Sequence, residues 1–247
     1  MPIVFLSPST QDWNPYVTGS GSEEYWMNRI VDAMEPYLRS NGIRYRRNDP
    51  DTSAGAAIRE ANSGYYDFYL ALHSNAIGNG SAQTSARGII AFYYPGSAGG
   101  QRGAELIAKN LREIYPLPDK VTTRPTTALG EVSRSRFPAV LVEIGYHDNY
   151  SDALWLESHV EDVARQFVKA LTEYFGLPFI PPMDPKRGTV RLSYGTLNLR
   201  AAPSSAGTVI ANLPNGAEMT VYGEWNGWYV VQYGDQVGYA AAAYIDV

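Results

Sequence analysis

Two kinds of hydrophobic pattern alternate along the first 176 residues. Short runs rich in strand-forming residues, which are typical of buried strands, cover 3–6, 43–46, 67–75, 88–94 and 139–144. Between them, apolar residues that recur every three to four positions predict helices over 23–34, 54–61, 98–114 and 151–175. Pro36 is expected to kink or end the first helix. Strands that alternate with helices predict an α/β fold with a mostly parallel sheet flanked by helices.

The pattern changes after residue 176. Four prolines within the eight residues 178–185 predict a stiff linker. Short β-rich runs separated by turn signals such as Asn226-Gly227 follow at 188–192, 197–200, 209–213, 218–224, 228–233 and 237–240. The chain is therefore predicted to have an α/β domain at 1–176, a proline-rich linker at 177–187 and a small all-β barrel at 188–247.

The composition narrows the possible classes of function. The chain has 247 residues and a net charge of −5, and its basic residues are scattered, which argues against a nucleic-acid-binding protein. It has no cysteine and only three histidines, so a zinc site would need histidine, carboxylate or neutral oxygen ligands. No apolar stretch approaches the roughly 18–20 residues of a membrane span. The first residues lack the basic start and long apolar run of a signal peptide.

Candidate functional side chains lie at the ends of two predicted strands. His73 ends one of them, and Glu143 ends an apolar strand where its carboxylate would be poorly solvated. The carboxyl ends of parallel strands are where such sheets hold their sites. With Glu24 in the first turn of the first helix, these residues could form a zinc site with a separate general base. A structural histidine and an acid that caps the following helix remain the alternatives.

Three motifs within residues 1–176 resemble those of the zinc-dependent N-acetylmuramoyl-L-alanine amidases, enzymes that cut peptidoglycan. The most specific, PAVLVEIGY at 138–146, resembles the catalytic-glutamate motif of that family. LHSNA at 72–76 resembles a zinc-histidine motif, and EYWMNR at 24–29 is similar to the segment with the zinc-binding glutamate. The resemblance implies an amidase/phosphorylase-like fold with a Zn²⁺ cofactor.

The same resemblance implies a role for each site residue. Glu143 is the expected general base, Glu24 and His73 are expected zinc ligands, and Asn75 is expected to orient a ligand or the substrate. Glu23 is the alternative register to Glu24.

One ligand of the family has no counterpart in this sequence. Where the family carries its first zinc histidine, the loop after the first strand reads LSPSTQD at 6–12. Gln11 is the preferred third ligand because its amide oxygen could bind a metal, followed by His147 and then Asp12. An oxygen-rich site would hold zinc less tightly than a histidine-rich one.

Residues 187–247 resemble a bacterial SH3-like cell-wall-binding domain. The resemblance is carried by LNLRAAPS at 197–204, NGWYVV at 226–231 and VGYA at 237–240. It implies attachment to the bacterial wall, for which Trp225, Trp228 and Tyr239 are the candidate contacts. The alternative is that these rings pack the inside of the barrel.

We therefore expect a peptidoglycan hydrolase, of the endolysin or autolysin kind, that cleaves the amide between N-acetylmuramic acid and L-alanine. The alternatives are a catalytically inactive wall-binding protein on an amidase fold and a hydrolase of another peptidoglycan amide. Peptidoglycan is the expected partner of a monomer that is secreted or released by a phage and acts on the bacterial wall.

Overall fold

The computed structural model describes residues 1–77 and 83–247. The chain divides into two compact units, one formed by Ile3–Met34 and Tyr45–Tyr174, the other by Met1–Pro2, Glu35–Arg44 and Phe175–Val247. Within the described ranges, every helix is too short or too polar to cross a membrane. The predicted linker and domain limits at 176 and 187 stay predictions.

The first part of the chain forms a six-stranded sheet. Its strands are β1 (Ile3–Pro8), β2 (Arg44–Arg47), β3 (Phe68–Asn75), β4 (Ile89–Tyr93), β5 (Val121–Pro125) and β6 (Ala139–Tyr146). They lie in the order β2-β1-β3-β6-β4-β5. The pairs β1–β3, β3–β6 and β4–β5 are parallel, whereas β4 runs antiparallel to β6. This mixed, mostly parallel sheet confirms the predicted fold class.

The helices are α1 (Glu23–Ser40), α2 (Ala54–Ser63), α3 (Ala98–Arg112), α4 (Gly130–Ser133), α5 (Tyr150–Ser158) and α6 (Val160–Phe175). Pro36 does not end α1, which continues to Ser40 and stops before Gly42, whose φ is 67°. The single helix predicted over 151–175 was wrong, because the chain breaks at His159 into α5 and α6. Strand β5 and the one-turn helix α4 were not predicted.

A buried carboxylate fixes the end of β6. The side chain of Asp152 accepts hydrogen bonds from Arg87 Nε and Tyr115 Oη, each at 2.7 Å. It also accepts the backbone N–H groups of Gly88, at 3.1 Å, and Tyr146, at 3.2 Å. Because buried polar groups need partners, this one side chain holds together the start of β4 and the end of β6.

The C-terminal residues form a seven-stranded antiparallel barrel-like sheet. Its strands are β7 (Lys186–Val190), β8 (Thr196–Arg200), β9 (Val209–Pro214), β10 (Glu218–Trp225), β11 (Trp228–Tyr233), β12 (Gln236–Ala241) and β13 (Ile245–Asp246). Asn226 and Gly227 connect β10 to β11 with φ values of 46° and 80°. Two positive φ angles are what a two-residue hairpin of this type requires, so the predicted turn is confirmed.

Candidate active site

The strand register places the candidate side chains on one face of the sheet. Side chains in a strand alternate between faces, so Tyr69, Ala71 and His73 of β3 project to the same side. In the parallel pair β3–β6, His73 is aligned with Glu143. In the pair β1–β3, Ser7 is aligned with Ala71. The hydroxyl of Ser7, the imidazole of His73 and the carboxylate of Glu143 therefore share a face.

The imidazole of His73 lies between two buried carboxylates. Its Nδ1 is 2.9 Å from Oε1 of Glu23, at the start of α1. Its Nε2 is 2.8 Å from Oε2 of Glu131, in α4. All three side chains are almost completely buried, with at most 8 % of each residue exposed. Because these charged groups are shielded from water, they are stabilised by the hydrogen bonds to one another rather than by solvent.

The three groups stabilise one another's charged forms. Burial lowers the pKa of His73, but the hydrogen bonds and charges of Glu131 and Glu23 outweigh burial and raise it well above its ordinary value. Burial raises the pKa of each carboxyl group, yet the hydrogen bond and charge of His73 prevail and lower both pKa values. Each charge is thus favoured by the opposite charge beside it.

Glu143 stands in a different environment. Its Oε2 is buried and has no hydrogen-bond partner among the described residues. Burial raises the pKa of Glu143 to about 7, and the charges of Glu23 and Glu131 act in the same direction against the opposing charge of His73. A carboxyl group that titrates near neutral pH beside a charged cluster is suited to accept and return a proton.

The structure brings Glu23, not Glu24, to His73. Glu23 accepts a further hydrogen bond from Asn14 Nδ2 at 2.8 Å. The carboxylate of Glu24 instead accepts Asn28 Nδ2 at 3.2 Å and lines a separate cavity of about 280 Å³ together with Asp12. The register preferred from sequence is therefore not the one found. The physical reason is that Glu23 lies one helical turn before Met27, on the buried side of α1.

The three candidates for a third ligand lie in three different surroundings. Gln11 is the one that approaches the pair, with Nε2 at 3.3 Å from Glu23 Oε1 and 3.5 Å from His73 Nδ1. Its Oε1 accepts Asn14 Nδ2 at 3.1 Å, so the amide nitrogen faces the histidine. The orientation of an amide is assigned from such partners.

The other two candidates have partners elsewhere. The ring of His147 is buried, with Nδ1 at 3.0 Å from both the hydroxyl and the backbone oxygen of Ser74. Asp12 is exposed and lines the cavity beside Glu24. Neither side chain is among the contacts of His73.

The donor set can be tested for its fit to a metal ion. Within residues 1–77 and 83–247, no three histidine, aspartate or glutamate side chains are grouped closely enough to hold a metal by themselves. However, His73 Nδ1 and Glu23 Oε1 face each other at 2.9 Å, so either a proton on Nδ1 or a cation must lie between the two atoms. The unpartnered Oε2 of Glu143 is a second unsatisfied acceptor on this face. The set fits a cation held by Glu23 and His73 and completed by a neutral oxygen.

Asn75 lies at the end of β3, two residues beyond His73. Its Oδ1 accepts the backbone N–H of Ala76 at 2.8 Å, and its backbone oxygen accepts the N–H of His147 at 2.9 Å. The side chain is half-buried. These bonds shape the turn after β3, and the predicted contact of Asn75 with substrate stays a prediction.

The three aromatic candidates for wall contact differ in their exposure to solvent. Tyr239 is completely buried against Ile180 and Val230, so it is a core residue and not a surface contact. Trp225 is 36 % exposed at the end of β10. Trp228 lines a groove of about 590 Å³. Tyr194, which is 90 % exposed, lines the same groove together with Arg191, Asn198, Arg200 and Tyr244.

Glu131 is the site residue that was not predicted from sequence. It lies in α4, next to Val132, which packs into the cluster that contains Tyr69 and Leu141. An acid placed between Leu129 and Val132 is the sequence signal that could have pointed to it, since a charged residue in an apolar segment needs a buried partner.

Comparison with known proteins agrees with this geometry. The profile of the N-acetylmuramoyl-L-alanine amidase family matches residues 10–173, and that of the bacterial SH3 domain matches residues 195–246. The N-acetylmuramoyl-L-alanine amidase LytC of Bacillus subtilis (strain 168) is 28 % identical over 170 residues, which are 67 % of this chain and 34 % of LytC. The chain therefore spans about one third of the length of that relative.

Solved amidase structures share the fold. The amidase AmiC2 of Nostoc punctiforme superposes with a TM-score of 0.62 and 16 % identity, over 71 % of this chain and 97 % of that one. The catalytic domain of CwlV from Bacillus (Paenibacillus) polymyxa var. colistinus gives 0.61 and 17 %, over 72 % and 100 %. Since the family profile covers well over half of the residues, this chain belongs to the N-acetylmuramoyl-L-alanine amidase family and carries a bacterial SH3 domain after its amidase domain.

Proposed function

We propose that this protein hydrolyses the amide bond between N-acetylmuramic acid and the L-alanine of the peptidoglycan stem peptide. Family membership supports the reaction class. The observation that carries the proposal is Glu143, whose buried Oε2 has no partner among the described residues, which is aligned with His73 on the neighbouring strand and whose pKa is raised to about 7. Such an acid has the proton affinity that a general base needs at neutral pH.

The family is zinc-dependent, and in this chain Glu23 and His73 would hold the ion. Gln11 is the proposed third ligand because it is the candidate next to that pair. When bound, zinc supplies Lewis-acid polarisation of the scissile carbonyl and a lower pKa for the attacking water. Gln11 would have to turn its amide oxygen toward His73 to take part.

Glu143 carries the proton through the reaction. As a carboxylate it removes one proton from the attacking water, whose oxygen forms a bond to the lactyl carbonyl carbon. The carbon–nitrogen bond then breaks, and Glu143 returns the proton to the departing nitrogen of L-alanine. The carboxylate ends the cycle as it began, and the products are a free lactyl acid and a free amine.

Digestion of purified sacculi tests the reaction. Mass spectrometry should show intact stem peptides that begin with a free L-alanine, together with peptide-free glycan strands. Stem fragments cut at another bond would instead identify a hydrolase of a different amide. Activity should be lost with a chelator and return with added zinc; a rate unaffected by chelation would contradict the proposed metal.

A second candidate function is a wall-binding protein without hydrolytic activity. It is favoured by the loop at 6–12, which has no histidine, and by the lack of a three-residue His/Asp/Glu group within the described ranges. Metal analysis of the purified protein separates the two functions. One zinc per chain supports the hydrolase, whereas no uptake from buffered zinc together with no digestion supports wall binding alone.

We further propose that the barrel holds the protein on peptidoglycan through the groove lined by Tyr194 and Trp228. Aromatic faces stack on sugars and peptide planes, and Arg191 and Arg200 add positive charge for the carboxylates of stem peptides. Attachment of this kind raises the local concentration of substrate for the amidase domain.

Tyr194→Ala should weaken co-sedimentation with sacculi by about tenfold, as expected for an exposed aromatic contact worth about 1–2 kcal/mol. Tyr194 is 90 % exposed, so its removal should leave the unfolding midpoint unchanged. Tyr65→Ala is the matched control, because Tyr65 is 76 % exposed in the amidase domain and does not line the groove. Equal losses in both variants would place the binding surface elsewhere.

A further inference from the structure

Glu131 makes contacts that the proposed chemistry does not require. Its Oε1 accepts hydrogen bonds from Ser7 Oγ at 2.6 Å and Tyr69 Oη at 2.9 Å. Its Oε2 lies 2.8 Å from Nε2 of His73. Strands β1 and β3 thus bring three donors to the carboxylate of Glu131, a residue of α4 that is 4 % exposed.

Each of these donors determines which way Glu131 faces. Ser7 and Tyr69 are held by the backbone of β1 and β3, and both are at most 1 % exposed. Their hydroxyl groups occupy Oε1, which leaves Oε2 directed at His73. With Oε1 already accepting two hydroxyl groups, Oε2 is placed to accept the N–H at Nε2 of His73.

A proton held on Nε2 decides the role of the other ring nitrogen. The neutral imidazole has one N–H and one lone pair, so a proton fixed on Nε2 leaves the lone pair on Nδ1. Nδ1 is the nitrogen that faces Glu23. In metal sites generally, a carboxylate behind the histidine fixes the tautomer and raises the basicity of the ligand.

We propose that Glu131 is a positioning residue for His73, which keeps the proton on Nε2 and presents Nδ1 to Glu23 as a metal ligand. This inference rests on the proposed function, because it concerns the metal that Glu23 and His73 would hold. Glu131 acts through the histidine and does not itself contact the metal or the substrate.

Zinc affinity is the first measurement. Competition with a chromophoric chelator should show zinc binding about 10–100-fold weaker in Glu131→Gln than in the unaltered protein, the usual effect of losing such an outer partner. Glutamine is nearly the same size but carries both a donor and an acceptor, so it no longer dictates the tautomer. Glu105→Gln removes the same charge from the exposed side of α3 and should change affinity by less than about threefold, as for an exposed charge.

The second measurement detects the proton on Nε2 of His73 and needs no metal. The chain has three histidines, so ¹⁵N-histidine labelling gives few signals, which His147→Gln and His159→Gln assign by elimination. In the unaltered protein the Nε2 proton of His73 should be seen as a slowly exchanging signal, and it should be lost in Glu131→Gln. Ile107→Ala removes a buried side chain from α3, away from Glu131 and His73, and should keep the signal even though it destabilises the fold.

The outcomes are distinct. Unchanged zinc affinity in a folded Glu131→Gln protein would overturn the inference and leave the proposed function standing. Loss of the Nε2 proton in Ile107→Ala as well as in Glu131→Gln would overturn it too, because the effect would then be general destabilisation. If the unaltered protein takes up no zinc, the proposed function fails. The Nε2 proton signal of the metal-free protein then tests on its own whether Glu131 positions His73.

Discussion

Replacing Glu143 with glutamine is expected to abolish hydrolysis while stabilising the metal-free protein above pH 7. Glutamine cannot accept the proton of the attacking water, and general-base catalysis is worth about 10²–10⁴ in rate. The loss should appear in kcat, measured as stem-peptide release from sacculi, with little change in attachment to the wall. A variant that keeps more than about a tenth of the rate would exclude Glu143 as the base.

The stability effect follows from the raised pKa of the same group. Its ordinary pKa is 4.5, and burial raises it to about 7 in the folded protein. Between these values the folded state binds more protons than the unfolded state. Glu143 therefore lowers the free energy of unfolding as the pH rises through this window, and its full cost is present above pH 7. The shift corresponds to a cost on the order of 3 kcal/mol.

Urea unfolding of the metal-free protein at pH 5 and pH 8 measures this cost. Glu143→Gln should be more stable than the unaltered protein at pH 8, and the difference should shrink toward pH 5. Glu24→Gln serves as the control for removal of a half-buried acid from the same domain. If the free energy of unfolding changes with pH in the same way in the unaltered protein and in Glu143→Gln, the carboxylate of Glu143 does not destabilise the folded state.

The second large effect is expected from the two adjacent glutamates at the start of α1. Glu23→Gln should weaken zinc binding by more than about 100-fold, because even outer partners of a ligand are worth 10–100-fold. Glu24→Gln should leave affinity and hydrolysis nearly unchanged, since its carboxylate contacts Asn28 and not His73. Chelator competition on both variants measures the difference.

The Glu23 variant must first be shown to be folded. Removing one member of a buried ion pair leaves the other without its partner, so some loss of stability is expected. Circular dichroism and an unfolding midpoint above the assay temperature provide that check. The reverse result, with zinc binding lost in Glu24→Gln and kept in Glu23→Gln, would show that the loaded site uses the register suggested by the sequence motif.

Local patterns were sufficient to predict five of the six strands of the sheet and the positions of two central side chains. The runs before His73 and Glu143 are apolar, so they had to be buried strands, and the strand order of an α/β sheet brings their ends together. In the structure these two residues are aligned on neighbouring parallel strands. The hydrophobic pattern within each segment is sufficient for this prediction, and no contact between distant segments has to be known.

The choice between Glu23 and Glu24 could also have been read from periodicity. The buried residues Met27, Ile30 and Met34 define one side of α1, and stepping back one turn from Met27 leads to Glu23. The resemblance of EYWMNR to a family motif pointed to Glu24 instead. Helical geometry is the better guide here, because it decides which side chain reaches the sheet.

Other features depend on tertiary contacts that no local pattern encodes. Glu131 lies in a helix of only four residues, and its importance comes from three partners on two distant strands. Tyr239 was expected to contact the wall because of the resemblance to an SH3-like domain, but it fills the core beside Val230. Aromatic side chains serve cores and surfaces alike, so their position must come from the fold.

The side chain of Asp152 has a consequence for local stability. The backbone N–H groups of Gly88 and Tyr146 share one acceptor atom, Oδ2 of Asp152, although 58 residues separate them in sequence. Movement of the Asp152 side chain would release both amides at once. Their hydrogens should therefore exchange with deuterium at closely matched rates, as parts of one cooperative opening event. The end of the strand that carries Glu143 would then open only together with the start of β4.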